Sequence, residues 1–225
     1  TSLFEQILAG HPQIHGAGEL YDLQRVINGN FGPIGDAAFA DNITQADIGR
    51  FSNSGDEYAR AIRSGAIGER FITDKMPNNF QLIGMIKLML PNAKIIHCRR
   101  DPLDTCLSIF KTLFTANGHF YAYDQSELGR YYGLYLDLMD HWRDVLPGFI
   151  FDVQYEDMIA DQETQTRTIL QYCGLDWNES CLDFHKLDRP VYTASAAQVR
   201  RPIYTDAVQS SKHYEQWVQP LRNAL

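Results

Sequence analysis

The sequence lacks any run of apolar residues long enough to cross a bilayer. Its four cysteines form no Cys-x-x-Cys pair and its seven histidines show no His-x-x-x-His spacing, so neither residue type indicates a metal site. Internal repeats and low-complexity tracts are also missing. These absences exclude a membrane span, a zinc domain and a repeat array from the interpretation of these residues. They favour a globular fold whose cysteines are reduced and packed as small apolar side chains.

Positive charge is also in short supply, because 20 lysines and arginines face 28 aspartates and glutamates and the formal net charge is −8. Such a balance disfavours a general polyanion binder, so no nucleic-acid partner is expected and any anion must be bound at a local site. Hydrophobic residues make up 44% of the chain and charged residues 21%. This composition and the length of 225 residues predict one folded domain over residues 1–225.

Three short apolar runs predict buried strands, at Arg70–Lys75, Lys94–Cys98 and Phe149–Val153. Apolar residues at helical spacing follow each run, and a further helix is predicted from Ser2 to Leu8. Strands that alternate with helices pair in parallel with right-handed crossovers. The sequence therefore predicts an α/β fold with three layers, α/β/α, around a central parallel sheet.

Four other segments have weaker or longer patterns. Asn28–Ser54 shows no strong periodicity and is predicted to form loops, and a helix is predicted from Gly55 to Ser64. A long helix is predicted over Ser126–Val145, and another over Glu156–Cys173, which Gly174 would end in a left-handed cap.

Polar side chains follow the predicted strands, at the edge where parallel sheets bind ligands. They are Lys75, Arg99, Arg100 and Tyr155. Arg100 directly precedes a helix start, where backbone N–H groups attract anions, and together with Ser108 it could hold one phosphate. The residues alone leave a second interpretation open. In it, the polar stripe of this helix is a solvated face and Arg100 is an ordinary strand-end charge.

Four segments resemble the sulfotransferase family. Arg100–Ser108 is similar to the segment that binds the 3′-phosphate in that family, and Thr1–Leu8 resembles the residues that follow its phosphate loop. Val153–Asp157 and Ser195–Pro202 extend the resemblance over nearly the whole chain. The pattern is most similar to the branch with tyrosylprotein sulfotransferases and bacterial sulfotransferases that carry helical repeats upstream.

The resemblance implies a fold related to the P-loop nucleoside triphosphate hydrolases, with the first strand and most of the phosphate loop outside this sequence. It implies 3′-phosphoadenylyl sulfate as cofactor, adenosine 3′,5′-bisphosphate as product and no metal. The acceptor would carry a free hydroxyl, on a protein tyrosine, a carbohydrate or a small alcohol. The sequence is accordingly expected to belong to a longer protein, and a chain that began at Thr1 is expected to bind the cofactor weakly and to turn over little.

By the same resemblance, Glu19 is the general base, and Lys75 and Ser195 stabilise charge on the transferring group. Lys212 stands near the place where this branch has a basic residue. The residues expected to contact the cofactor are Thr1, Ser2, Arg100, Ser108, Tyr155, Ser195, Gln198, Val199, Arg200, Arg201, Pro202 and Lys212.

Two other functions remain open from the sequence. A kinase-like phosphotransferase of the same sheet type would need Gly-Lys-Ser/Thr in its phosphate loop and a carboxylate for magnesium at a strand end. A non-catalytic nucleotide-binding or interaction domain could keep the fold without the chemistry. The residues do not fix a compartment, although a bacterial source would favour the cytoplasm.

Overall fold

The computed structural model describes residues 1–114, 118–193 and 196–225. These residues form two compact units, which are described separately. Unit 1 comprises Thr1–Ala93 and Asp176–Arg201, and unit 2 comprises Lys94–Leu175 and Pro202–Leu225. The single domain over residues 1–225 stays a prediction.

Unit 1 begins with helix α1 (Ser2–Leu8), whose side chains are mostly buried from Phe4 onward. Strand β1 (Ile14–Gly16) follows and pairs in parallel with β2 (Phe71–Thr73). The register places Gly16 opposite Thr73, so the two strands end level with each other. The sequence did not predict β1, because three residues that include a histidine and a glycine give no apolar run.

The helices between these strands correct one expectation. Asn28–Ser54 is not mainly loop, since it contains the end of α2 (Asp22–Phe31), all of α3 (Phe39–Thr44) and the first half of α4 (Ile48–Ile62). The side chain of Asp47 caps α4 by accepting the N–H of Arg50 at 2.8 Å.

Gly55 was predicted to start a helix, but it lies inside α4, and close packing explains why a glycine stands there. A Cβ atom added at Gly55 would lie 2.1 Å from the carbonyl oxygen of Met89, at the end of α5 (Ile83–Met89). Gly55 therefore lets these two helices approach each other, and the predicted helix start at this residue is wrong.

Unit 2 contains the second parallel pair, β3 (Ile95–Arg99) and β4 (Ile150–Gln154). Helix α6 (Pro102–Phe110) follows β3, and α7 (Gln125–Val145) precedes β4. Both helices are capped by aspartates directly before their first residues. These elements confirm the predicted order of strands and helices in this part of the chain.

The predicted helix over Glu156–Cys173 is interrupted, and this expectation is wrong. Helix α8 (Tyr155–Ala160) ends before Asp161, whose side chain accepts the N–H of Thr164 at 3.1 Å and so starts α9 (Gln162–Cys173). Residues 161–168 are all polar and include no proline or glycine, so no helix-breaking residue marks the junction. The left-handed cap at Gly174 is confirmed, with a φ of 69°.

The C-terminal helix α10 (Gln219–Ala224) completes unit 2, where Leu221 packs with Cys106 and Leu128 in a buried cluster. Within the described residues, the four strands are paired in parallel and connected through helices, which confirms the α/β class. In the same part of the chain, the search for a helix both long and apolar enough to cross a membrane finds none.

Candidate active site

Glu19 and Lys75 meet beyond the ends of β1 and β2 in unit 1. The ammonium group of Lys75 donates to the carboxylate of Glu19. The Lys75 side chain is only 8% exposed, whereas that of Glu19 is 33% exposed. Because parallel strands bring their carboxyl ends to the same edge, the sheet itself places this acid–base pair together. A solvent-accessible carboxylate therefore lies against a buried cation.

The backbone before Glu19 is fixed by a glycine. Gly18 has a φ of 80°, in the left-handed region that a side chain disfavours, and its carbonyl oxygen accepts the N–H of Lys75 at 2.8 Å. The N–H of Ala17 donates to the carbonyl of Thr73 at 3.2 Å, which continues the contacts of the two strands. These main-chain hydrogen bonds hold the segments that carry Glu19 and Lys75 next to each other.

A cleft of about 490 Å³ opens beside Glu19 in unit 1. Its wall includes the end of β1, the C-terminal end of α4 and the segment 187–193. The lining is partly apolar, with Ile14 and Ile62, and partly acidic, with Glu69 and Asp188. The cleft is large enough for a small alcohol or for one side chain of a larger acceptor.

The side chain of Arg200 connects the segment before residue 201 to the backbone of residues 187 and 189. Arg200 donates to the carbonyl oxygens of Leu187, at 2.6 Å, and of Arg189. Val199 is 3% exposed, so its side chain belongs to the core of unit 1. Gln198 and Arg201 are exposed. Arg200 therefore fixes the fold of this segment, a role the sequence did not indicate.

The start of the chain reaches the same segment. Thr1 directly precedes α1, is exposed and makes no side-chain capping hydrogen bond within the described residues, and the hydroxyl groups of Ser2 and Thr193 are 3.2 Å apart. Ser195, expected to assist Lys75, lies outside the described residues. Unit 1 thus brings Glu19 and Lys75 into direct contact and holds Ser2 against the segment that leads to Ser195.

Arg100 is the centre of a second group, in unit 2. Its guanidinium donates to the carbonyl oxygen of Ala207 at 2.5 Å and lies over the ring of Tyr155, 5.1 Å from the ring centre. Burial raises the pKa of the Tyr155 hydroxyl, although the positive charge of Arg100 opposes this rise. The sequence predicted both residues, and the structure brings them together.

Asp104 is the buried counter-charge of Arg100. Its side chain is fully buried, lies 3.6 Å from the Arg100 guanidinium and accepts the N–H of Ser211 at 2.8 Å. Burial by itself would raise the pKa of Asp104, but hydrogen bonds from Ser211 and the charge of Arg100 outweigh burial and lower it. The alternative interpretation from the sequence, in which the polar stripe of α6 is a solvated helix face, is therefore wrong for Asp104.

The other predicted residues of unit 2 lie at its surface. Ser108 is exposed one turn after Asp104 on α6, and Pro202 and Lys212 are exposed as well. Lys212 directly follows Ser211, whose N–H binds Asp104. In the three described stretches of the chain, no group of three or more histidine, cysteine, aspartate or glutamate residues is arranged to hold a metal ion.

The fold is that of sulfotransferases. The sulfotransferase domain from the curacin biosynthetic pathway superimposes with a TM-score of 0.61 at 14% identity, over 94% of this chain and 86% of that one. The sulfotransferase domain of the Synechococcus PCC 7002 olefin synthase gives a TM-score of 0.55 at 20% identity, over 95% and 90%.

The sequence model of the sulfotransferase family matches residues 1–179, and the chain belongs to this family. An uncharacterized protein of Aquifex aeolicus is 32% identical over the whole of this chain, which covers 30% of that protein. The omega-hydroxy-beta-dihydromenaquinone-9 sulfotransferase Stf3 of Mycobacterium bovis is 31% identical over 45% of this chain and 28% of its own length. The chain thus spans less than a third of these relatives.

Proposed function

We propose that the protein transfers a sulfuryl group from 3′-phosphoadenylyl sulfate to the hydroxyl group of an acceptor. The observation that carries this proposal is the contact of Lys75 with Glu19, which lines the cleft, in a chain of the sulfotransferase family. A carboxylate and an ammonium group at one sheet edge supply the two charges that such a transfer requires.

Glu19 acts as the general base in this proposal. Its carboxylate takes the proton of the acceptor hydroxyl while the acceptor oxygen bonds to sulfur and the bond from sulfur to the bridging phosphate oxygen breaks. Lys75 places its positive charge where negative charge develops on that departing oxygen, with help from Ser195. Because Lys75 is buried and Glu19 is open to the cleft, the acceptor approaches from the side of Glu19.

The donor supplies an activated sulfuryl group, and residues of each unit are proposed to bind it. In unit 2, Arg100 and Ser108 hold the 3′-phosphate, Tyr155 lies against the nucleotide, and Pro202 and Lys212 add contacts. The Nε atom of Arg100 supports this, since it is buried without a hydrogen-bond partner among the residues that the structure describes. The N-terminal end of α6, next to Arg100, favours an anion as well.

In unit 1, the hydroxyl groups of Thr1 and Ser2 are proposed to contact the donor, together with residues 198–201. Ser2 is supported by its position against Thr193. Val199 would contribute through its backbone only, since its side chain is buried. Arg200 would have to release the carbonyl groups of Leu187 and Arg189 before its guanidinium could bind the donor.

The test is calorimetric titration of adenosine 3′,5′-bisphosphate into the intact protein, beside Arg100→Ala and Ser108→Ala. We expect binding that both changes weaken at least about tenfold, because each removes a phosphate contact. Arg167→Ala is the matched control, since it removes an exposed arginine of unit 2 that pairs with Glu163 on the same helix. Absence of binding, or equal binding by all variants, would contradict the proposed donor site.

A second measurement addresses the reaction. Radiolabelled sulfate from 3′-phosphoadenylyl sulfate is followed into 4-nitrophenol, which serves as a probe acceptor with a small hydroxyl group. Transfer above the rate without protein supports the proposal. Tight binding of the bisphosphate with no transfer to this probe or to other alcohols, phenols and sugars would support a non-catalytic binding domain instead.

A further inference from the structure

Glu5 is a buried carboxylate that the proposed chemistry does not use. It lies on α1 among Phe4, Ile7 and Leu8, and it is only 5% exposed. A carboxylate in such surroundings is costly unless hydrogen bonds and opposite charge compensate it. Its presence at the start of unit 1 therefore calls for specific partners.

One oxygen of Glu5 connects the two strand ends that carry the candidate catalytic pair. Its Oε1 atom accepts the N–H of Gly18 at 2.8 Å and the hydroxyl of Thr73 at 2.9 Å. Gly18 directly precedes Glu19, and Thr73 ends β2 two residues before Lys75. A single carboxylate oxygen thus fixes the exits of both strands to the same point on α1.

The other oxygen of Glu5 faces a cation from the later part of unit 1. Oε2 lies 3.4 Å from Arg189, whose guanidinium also donates to the side-chain oxygen of Gln6 at 3.0 Å. A glycine makes room for this guanidinium, because a Cβ atom at Gly16 would lie 2.6 Å from its Nη1 atom. The charge of Glu5 is therefore compensated inside the protein and does not point at a ligand.

A second carboxylate, that of Asp74, acts on the backbone that follows Glu19. Burial raises the pKa of Asp74, and hydrogen bonds from Tyr58, from Asn79 and from the backbone of Leu20 oppose the rise. The Tyr58 hydroxyl donates to Asp74 at 2.7 Å. Leu20 directly follows Glu19, so a second, half-buried carboxylate acts on the backbone beside the candidate base.

We propose that Glu5 is a positioning residue, which holds Glu19 and Lys75 at a fixed separation without touching either substrate. This rests on the proposed function of Glu19 and Lys75. Two strands of three residues offer few ladder hydrogen bonds to align their exits. Glu5 adds an anchor on α1 to the backbone contacts of Ala17 and Lys75, and this matters because a reacting group displaced by about 1 Å can slow a reaction by about 100-fold.

Two substitutions of Glu5 separate positioning from charge. Glu5→Ala removes both acceptors, whereas Glu5→Gln keeps an oxygen for Gly18 and Thr73 and loses the charge that faces Arg189. With 4-nitrophenol as probe acceptor, we expect Glu5→Ala to lower kcat by about 100-fold with little change in the KM for the donor. Glu5→Gln should recover at least about tenfold of that loss.

Amide hydrogen exchange supplies a readout that does not need activity. In Glu5→Ala we expect faster exchange of the Gly18 and Lys75 amides, while the Kd of adenosine 3′,5′-bisphosphate changes by less than about twofold. Glu57→Gln is the matched control, because Glu57 lies on α4, is not among the described residues that line the cleft, and as glutamine keeps an oxygen for its donor, Asn30, now at 3.0 Å. The control should leave both amides and kcat unchanged.

The two readouts also separate this proposal from the proposed function. If the wild-type protein transfers no sulfate, the exchange measurement still tests the role of Glu5. Unchanged exchange at Gly18 would overturn the proposal, and so would equal losses of kcat in Glu5→Ala and Glu5→Gln. If Glu5→Ala does not fold, Thr73→Val takes its place, because it removes one donor to Glu5 at nearly constant volume; it should speed the same exchange, and no change would again overturn the proposal.

Discussion

The two charged centres of the chain are built in different ways. In unit 1, Glu19 is partly open to a cleft and Lys75 is buried behind it, at the ends of two short strands. In unit 2 the carboxylate is the buried member, since Asp104 lies under the more accessible guanidinium of Arg100. A group that exchanges a proton must reach its substrate, whereas a group that only holds a cation in place can be removed from water. The difference therefore matches a centre for chemistry and a centre for anion binding.

The largest effect is expected for Glu19→Gln. The amide keeps the shape of the side chain but cannot take a proton, so sulfate transfer should fall by about 100- to 10,000-fold. Binding of adenosine 3′,5′-bisphosphate, measured by calorimetry, should persist. Asp22→Asn is the control, since Asp22 lines the same cleft but pairs with Arg25 at 2.6 Å. Full transfer by Glu19→Gln would break the assignment of chemistry to unit 1.

Removal of the buried carboxylate in unit 2 should act on stability. Asp104→Ala leaves the N–H of Ser211 without its acceptor and Arg100 without its counter-charge, and it should cost about 3 kcal/mol of unfolding free energy. Urea denaturation measures this change. Asp140→Ala removes an exposed carboxylate that pairs with Arg143 and should cost less than about 1 kcal/mol. Equal costs for the two changes would contradict a supporting role for Asp104.

A smaller effect is expected for Gly18→Ala. A Cβ atom here would meet no neighbour within 4 Å, so the cost comes only from the positive φ and should be about 1 to 2 kcal/mol. Thermal unfolding measures the stability, and the rate of sulfate transfer reports whether Glu19 has moved. Gly133→Ala, an open helical position with no neighbour within 4 Å, should not destabilise the protein.

The smallest expected effect is the pH dependence of stability that arises from a network of His97, Asp152 and Arg143 in unit 2. Burial lowers the pKa of His97, against the opposing influence of Asp152, while Arg143 and Arg99 add to the lowering. Burial by itself would raise the pKa of Asp152, but hydrogen bonds from Arg143 and His97 outweigh it and lower the pKa. The hydroxyl oxygen of Tyr135 lies 2.5 Å from Nε2 of His97.

Both shifts give the same sign of pH dependence. A histidine and an aspartate whose pKa values are lower in the folded state contribute stability at neutral pH, and that contribution is lost as the pH falls. The loss should begin near the ordinary pKa of histidine, about 6.5, and continue through the carboxylate range, with a total of about 1 kcal/mol because the network is partly solvated. Thermal unfolding between pH 7 and pH 5 should show a larger slope for Asp152→Asn than for the wild type, because the change removes the group that opposes the lowering of the His97 pKa. An unchanged slope would contradict this account.

The sequence could predict the parts of the fold with strong local signals. Apolar runs identified β2, β3 and β4, and the Asp101–Pro102 pair marked the start of α6, because strand burial and helix capping are written in neighbouring residues. The break at Asp161 was missed, because no proline or glycine marks it and the residues that follow are compatible with a continuous helix. Short or polar elements such as β1 depend on packing partners distant in sequence.

The residues of the candidate site also include some that the sequence could predict and some that it could not. Family resemblance pointed to Glu19 and Lys75, and the parallel strands explain why they meet. Glu5 could not have been found, because its role depends on Arg189 and on strand exits that only the folded chain brings together. A charged residue on the apolar face of α1 was the one local signal, and by itself it names no partner.

The hydrogen bond from Gly18 to Glu5 also changes how the small sheet of unit 1 ends. Beyond the last paired residues of β1 and β2, backbone hydrogen bonds of Ala17 and Lys75 continue the contact, and the carboxylate of Glu5 adds a rung made by a side chain when it accepts the N–H of Gly18. Such a rung can be altered by a single substitution, whereas a backbone rung cannot. The alignment of the two strand exits is therefore open to adjustment by mutation at one position of a helix, without any change in the strands themselves.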